Sequence, residues 1–303
     1  MQVRPEVKSA LDAGQAVVAL ESTLICHGRP YPGNREVALA MEQAILAEGA
    51  LPATIALLAG EPYIGLDASQ IEYLARQGRQ VRKCSRRDLP LVLAGGLDGA
   101  TTVSGTMILA HQAGIRVFAT GGIGGIHRGH PFDVSADLEE LARTPMVVVC
   151  SGAKALLDLE ATRERLETSG VPVLGYQTDH FPAFYSRDSG LLADLRVEGP
   201  NEVAAIARAR DRLGLSSAVL VGVPVPAQDE LARAEAEEAI HEAVRQADEH
   251  GIRGHDLTPF LLQRVSELTE GRSPQANYSL LVNNARVAAR IARALAEHKT
   301  SEV

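Results

Sequence analysis

The stretch IRVFATGGIGGIHRGHPFDVSADLEELARTPMVVVCSGAK, residues 115–154, decides the fold. IRVFAT and MVVVC are short apolar runs that read as strands. Between them lie a glycine loop, GGIGGIHRG, a pair of aspartates in FDVSAD, and a helix, DVSADLEELART. Strand, loop, helix and strand in this order make a parallel pairing. The order also places an anion-binding loop, two acids and one lysine at the ends of two strands. Lys154 follows MVVVC by a few residues, where burial is high. A lysine in such a place is the type that enzymes use to form an imine with a carbonyl.

The same alternation runs outward in both directions. VVALEST (17–23), TIALLAG (54–60), QVRKC, VPVLGY and SAVLVGVPV read as further strands. The gaps hold helical patterns. One opens near Asn34 as N-cap, and one covers 67–78 with Asp67 as N-cap and Gly78 past its end. Near-continuous apolar strands separated by helices predict an α/β fold, a three-layer α/β/α sandwich around a mostly parallel sheet. No linker, repeat or low-complexity segment divides the chain, so 1–303 is expected to form a single domain. The last third is more helical, with a long charged helix over 229–250.

The chain has 303 residues, 46% of them apolar, and a formal net charge of −8. That balance argues against a nucleic-acid polymer as partner, because phosphate contacts need a basic stripe. It leaves room for a small molecule such as one nucleotide. Cys26, Cys84 and Cys150 are widely spaced and odd in number, which suggests neither a disulfide framework nor a zinc site. No apolar run approaches the ~20 residues of a membrane span. A cytoplasmic protein with reduced thiols is expected.

Several constellations carry chemistry, each beside a plainer reading. The loop 121–129 follows a strand but has His127 where a dinucleotide fingerprint needs glycine, and no GK[ST] follows. Its backbone N–H groups, with His127 and Arg128, suit a phosphomonoester; otherwise it is a tight turn with surface cations. Asp133 and Asp137, four apart, would share one helix face as a site for Mg²⁺ or Mn²⁺, or else favour a helix N-terminus. Glu21 ends an apolar strand, as a general acid or as the partner of a buried cation. The segment STLICHGRPYPGN after it is turn-rich, and His27 there is a site residue or a loop-fixing hydrogen bonder. Lys83 lies in the cationic cluster 82–87, a phosphate patch or a solvated loop. The run Thr101–Thr106 suits anion or base binding, or ordinary capping. Asn283 and Asn284 sit unfavourably inside a helix, which suggests a hydrogen-bonding task, in a site or in a buried structural network.

These motifs occur together in one order: LEST (20–23), HGRPYPGN (27–34), TTVSGTM (101–107), TGGIGGIHRG (120–129), DVSADL (133–138), SGAK (151–154), GYQTDHFPAFYSRDSG (175–190), HDLTPFLL (255–262) and NNA (283–285). The chain thereby resembles the pseudouridine-5'-phosphate glycosidases, the indigoidine-synthase-A-like family, over nearly its whole length. The resemblance implies reversible cleavage of the C–C glycosidic bond of pseudouridine 5'-phosphate to uracil and ribose 5-phosphate, a divalent cation, usually Mn²⁺, and a homotrimer. It also implies Lys154 as nucleophile and Glu21 as proton donor. Lys83, Val103, Ser135, Ala136 and Asp137 match substrate contacts. Asp133 matches the metal position, with Asp137 as the rival ligand. Thr120, His127 and Asn283 or Asn284 would help bind phosphate and sugar. A Schiff-base aldolase acting on another phosphosugar and a nucleotide-sensing domain are the competing readings of the same residues.

Overall fold

The computed structural model describes residues 1–252 and 257–297. His255 and Asp256, which open the HDLTPFLL motif, lie outside these residues.

In chain order the elements are β1 (Gln2–Val3), α1 (Pro5–Asp12), β2 (Val17–Glu21), α2 (Thr23–His27), α3 (Gly33–Ala47), β3 (Leu51–Leu58), β4 (Glu61–Ile64), α4 (Ala68–Gln77), β5 (Arg82–Cys84), α5 (Leu89–Ala94), β6 (Gly99–Thr101), α6 (Val103–Gln112) and β7 (Val117–Ala119). There follow β8 (Ile126–His127), β9 (His130–Val134), α7 (Ala136–Leu141), β10 (Val147–Cys150), β11 (Leu157–Asp158), α8 (Leu159–Thr168), β12 (Val173–Tyr176), β13 (Leu195–Val197), α9 (Pro200–Arg212), β14 (Val219–Gly222), α10 (Arg233–Glu249), α11 (Leu257–Leu268) and α12 (Arg272–Glu297).

The main sheet runs β1-β4-β3-β2-β7-β10-β14-β12-β13, with β6 and β5 attached beside β3. From β3 through β2, β7, β10, β14 and β12 to β13 the pairing is parallel, while β4 and β6 run antiparallel to β3. This is the mostly parallel α/β architecture that the apolar runs predict.

Side-chain alternation explains why those runs are unbroken. Val18, Leu20, Val117, Ala119, Val147 and Val149 face α3, α9 and α12, packing with Met41, Ile45, Val203 and Ile291. Val17, Ala19, Phe118, Val148 and Cys150 face the other way, onto Val7 of α1, Met107 of α6, Leu141 of α7 and Leu166 of α8. Both faces are covered, so neither parity of a strand can be polar.

Polar chemistry is thereby pushed to the strand ends. Chain winding fixes which ends matter. From β2 the chain moves to β3 on one side, whereas from β7 it moves to β10 on the other. The crevice beyond the carboxyl ends of β2 and β7 is therefore a switch point, where open α/β sheets bind ligands.

Local signals met their expectations unevenly. Asp67 caps α4 through a full capping box with Gln70. Asn34 does not cap α3, which starts at Gly33 after Pro32. Its side chain is buried and donates to Ile25 O at 2.7 Å and Ala75 O at 2.9 Å, satisfying carbonyls at the ends of α2 and α4. The turn-rich segment after Glu21 contains the short helix α2. All three cysteines are free and buried, and burial pushes each thiol up to about 12. No described helix is long and apolar enough to cross a membrane.

Candidate active site

β7 and β10 do not stop pairing where their strands end. Thr120 N donates to Val149 O, Ser151 N to Gly121 O, Ile123 N to Gly152 O, and Lys154 N to Ile123 O, all at 2.9–3.1 Å. The loops 120–124 and 150–154 thus run side by side beyond the sheet. Gly152 makes the bend possible: its φ is +83°, and a Cβ there would come within 2.0 Å of Pro182 O. Gly124 is equally constrained, since a Cβ would meet Ser135 Oγ at 2.1 Å.

Glu21 lies at the carboxyl end of β2, 5% exposed. Thr120 Oγ1 donates to its Oε1. Burial raises the Glu21 pKa; Lys154 opposes this most strongly, then the Thr120 hydrogen bond, with Asp137 adding to the rise and Lys83 opposing it. Glu21, Lys83, Asp137, Lys154 and Thr120 are therefore one electrostatic cluster at the switch point. Lys83 is exposed along part of its length, yet enclosure is the largest cause of its lowered pKa, followed by repulsion from Lys154. Asp137 and Glu21 act on Lys83 in the opposite sense.

Asp137 is anchored by backbone. Ser104 N donates to Oδ1 at 3.0 Å and Gly124 N to Oδ2 at 2.9 Å. Ser135 caps α7, accepting from Asp137 N. The anion at the start of α6 is thus the chain's own carboxylate. Val103, buried, and Ala136, exposed, open α6 and α7 on either side. The hydroxyls of the Thr101–Thr106 run serve mainly structure: Thr101 donates to Ile55 O, Thr106 to Thr101, and Thr102 caps α6.

Asp133 and Asp137 do not share a helix face. Residues 130–134 are extended as β9, paired with β8 in a hairpin, and α7 begins only at Ala136. Asp133 is 68% exposed, and its Oδ2 lies 3.2 Å from His127 Nδ1. Spacing alone could not show that the chain stays extended up to the Ser135 cap.

Other cations and amides are already engaged. Arg82 pairs with Asp88, Arg86 with the buried Glu140, and Arg87 stands 91% exposed 4.0 Å from Asp88, while Lys83 faces the acids Asp137 and Glu21. His27 Nε2 donates to Val81 O at 2.9 Å, and burial lowers its pKa, so it fixes a loop as a neutral ring. Asn284 is fully buried; its Nδ2 donates to Thr120 O at 2.9 Å and lies 3.1 Å from Ser151 Oγ. Asn283 beside it is half-buried. Arg128 grips Glu237, an engagement that no local sequence signal announced, because the two residues lie 109 apart.

The raised Glu21 pKa has a sign that can be measured. An acid whose folded pKa exceeds its unfolded value of about 4.5 costs nothing below that value and destabilises increasingly as pH rises through the folded pKa. Glu21→Gln removes this cost. Thermal melts should give matching Tm values near pH 4 and a higher Tm for Glu21→Gln above pH 7. A difference that shrinks as pH rises would contradict the assignment.

Residues 6–294 match the family model for indigoidine synthase A like protein. A pseudouridine-5'-phosphate glycosidase of Caldanaerobacter subterraneus subsp. tengcongensis is 55% identical over 289 residues, covering 95% of this chain and 94% of the relative. One from Paracoccus denitrificans is 55% identical over 295 residues, covering 96% and 97%. Among solved structures, the prealnumycin C-glycosynthase AlnA in complex with ribulose 5-phosphate superposes with a TM-score of 0.91 at 40% identity, covering 99% of this chain and 98% of that one. An indigoidine synthase A-like protein of Thermotoga maritima MSB8 superposes with a TM-score of 0.88 at 36% identity, covering 97% and 96%. With a strand-end cluster of two acids and two lysines and a family match over nearly all of its length, the chain belongs to the indigoidine synthase A like family.

Proposed function

We propose that residues 1–303 act as one enzyme unit, a pseudouridine-5'-phosphate glycosidase that splits the C–C glycosidic bond reversibly to uracil and ribose 5-phosphate. The observation that carries the reading is the placement of buried Glu21 and half-buried Lys154 in one electrostatic cluster at the switch point. Near-identical length and 51–55% identity with relatives of that name support it. So does the ribulose 5-phosphate bound by the structural neighbour, a sugar phosphate of the same kind.

A C-nucleoside lacks the polarised C–N bond that ordinary nucleosidases break. In the proposed route Glu21, whose pKa burial raises, protonates the ribose ring oxygen while the Lys154 amine attacks C1'. The C1'–O bond breaks and the sugar opens. The attached nitrogen gives up a proton, and its lone pair then forms a C=N bond as C5 of uracil leaves with the C1'–C5 electron pair and takes up a proton. Water hydrolyses the imine, releasing ribose 5-phosphate and the free amine. Lys83, Val103, Ser135, Ala136 and Asp137 line the substrate. His127 and Asn283 are the better phosphate and sugar contacts, because the Thr120 hydroxyl and the Asn284 amide already have protein partners. Lys154→Ala and Glu21→Ala should each lower uracil release by at least about 10³-fold with the fold intact. Borohydride should trap a ribose-phosphate adduct on Lys154, read by peptide mass. Normal turnover by Lys154→Ala would end this scheme, and adduct formation without uracil release would favour a phosphosugar aldolase.

A divalent cation, Mn²⁺ or Mg²⁺, is part of the proposal. Among the described residues no group of three or more His, Cys, Asp or Glu is gathered as a ligand set. A hard cation that keeps most of its waters needs only one carboxylate. Asp133 is exposed and suits that role, whereas both Asp137 oxygens already accept backbone N–H groups. Such an ion would supply charge to the phosphate or base end and order water. Chelation, and Asp133→Ala, should each reduce turnover and be offset by added Mn²⁺ only in the first case; unaffected turnover after chelation would exclude the ion.

A homotrimer completes the proposal. Large apolar side chains stand exposed, among them Phe132 at 98% and Leu91 at 54%, and the proposal buries some of them between subunits. Light scattering should give three times the 32.2 kDa chain mass; a monomer would remove this part.

A further inference from the structure

We propose that Arg128 is a positioning residue for Lys154, tying the lysine loop to helix α10, and that it does not hold the substrate phosphate. The inference rests on the reading of Lys154 as nucleophile.

The guanidinium of Arg128 is divided between a carboxylate and the backbone just after Lys154. Nη1 and Nη2 meet the two oxygens of Glu237 at 2.7 and 3.0 Å, a bidentate grip. Nε donates to Leu157 O at 3.0 Å, and Nη2 reaches Ala155 O at 3.4 Å. Nη1 also lies 3.1 Å from His241 Nε2. All three nitrogens are engaged, so no edge of the fork remains for a phosphate. The pair is held largely out of solvent, with side chains 24% and 32% exposed. The Arg128 hydrogen bond is the first cause of a lowered Glu237 pKa, so the carboxylate stays charged through neutral pH.

The carbonyls that Arg128 holds belong to the loop that carries the amine. Lys154 is fixed towards the sheet by its N–H on Ile123 O. Its own carbonyl accepts from Leu157 N at 3.0 Å, and Leu157 of β11 pairs with His127 of β8. Arg128 braces this turn through the Ala155 and Leu157 carbonyls. Glu237 then sets where the guanidinium stands, so α10 reaches the reactive loop through one side chain. An amine must be held within a fraction of an ångström of its target carbon, and misplacement by about 1 Å can cost on the order of 100-fold in rate.

The experiment is steady-state kinetics on pseudouridine 5'-phosphate for Arg128→Lys and Glu237→Gln, with Tm and the rate of borohydride trapping on Lys154. Lysine keeps the charge but cannot serve the carboxylate and the carbonyls together. The expected result for Arg128→Lys is a fall in kcat of about 10–100-fold with KM unchanged, with trapping slowed in parallel and Tm little altered. Glu237→Gln should show a smaller fall of the same kind, because the carbonyl contacts survive. A raised KM at constant kcat would make Arg128 a phosphate ligand and overturn the inference. A lowered Tm with unchanged kinetics would overturn it too, as a structural bridge alone. A wild-type chain that releases no uracil would remove the functional reading and this inference with it, which separates that failure from the other two.

Discussion

Four backbone hydrogen bonds beyond the ends of β7 and β10 set the geometry on which everything else depends. A parallel sheet ordinarily surrenders its chain to irregular loops at the carboxyl edge. Here the ladder continues for several residues more, through Thr120, Gly121, Ile123, Ser151 and Lys154. Loop residues thereby gain positional definition close to that of strands, as reactive groups require. The glycines are the condition for it, because a side chain at Gly152 or Gly124 would collide with Pro182 or Ser135.

The electrostatics follow from that placement. Two buried carboxyl groups, where isolated charges would be costly, are brought together with two amines that keep some contact with solvent. Each moderates the others. Lys154 restrains the rise that burial imposes on Glu21, and Asp137 and Glu21 restrain the fall imposed on Lys83. Asp137 itself rests on two backbone N–H groups from different elements, which fix it independently of any ligand. The cluster is a set of mutual perturbations held by a rigid frame, suited to moving protons between neighbours.

Much of this was legible in the chain because both sheet faces are buried. Unbroken apolar runs such as VVAL and MVVVC suit strands covered on both sides and little else, and the polar residues that follow them, Glu21 and Lys154, stand out for that reason. What stayed hidden depends on distant partners. The extended path of 130–134 comes from pairing with β8, although a helical pattern starts at Asp133. Asn34 looks like a cap and instead satisfies carbonyls of two other helices. Arg128 looks like a free cation beside a glycine loop until Glu237 is brought to it across 109 residues. The two asparagines of NNA carry the same letter, and only the burial of Asn284 against Thr120 and Ser151 tells them apart.

Asn284 has a temporal consequence as well. It spans both strand-end loops, 164 residues from Thr120 and 133 from Ser151, and it belongs to the long helix that packs across β2, β7 and β10. Synthesis proceeds from the N-terminus, so the strands that end in Glu21 and lead to Lys154 emerge long before it. A nascent chain can assemble most of its sheet while its reactive edge still lacks the amide that joins the two loops. The join between the two loops is thereby completed last, when α12 docks across β2, β7 and β10.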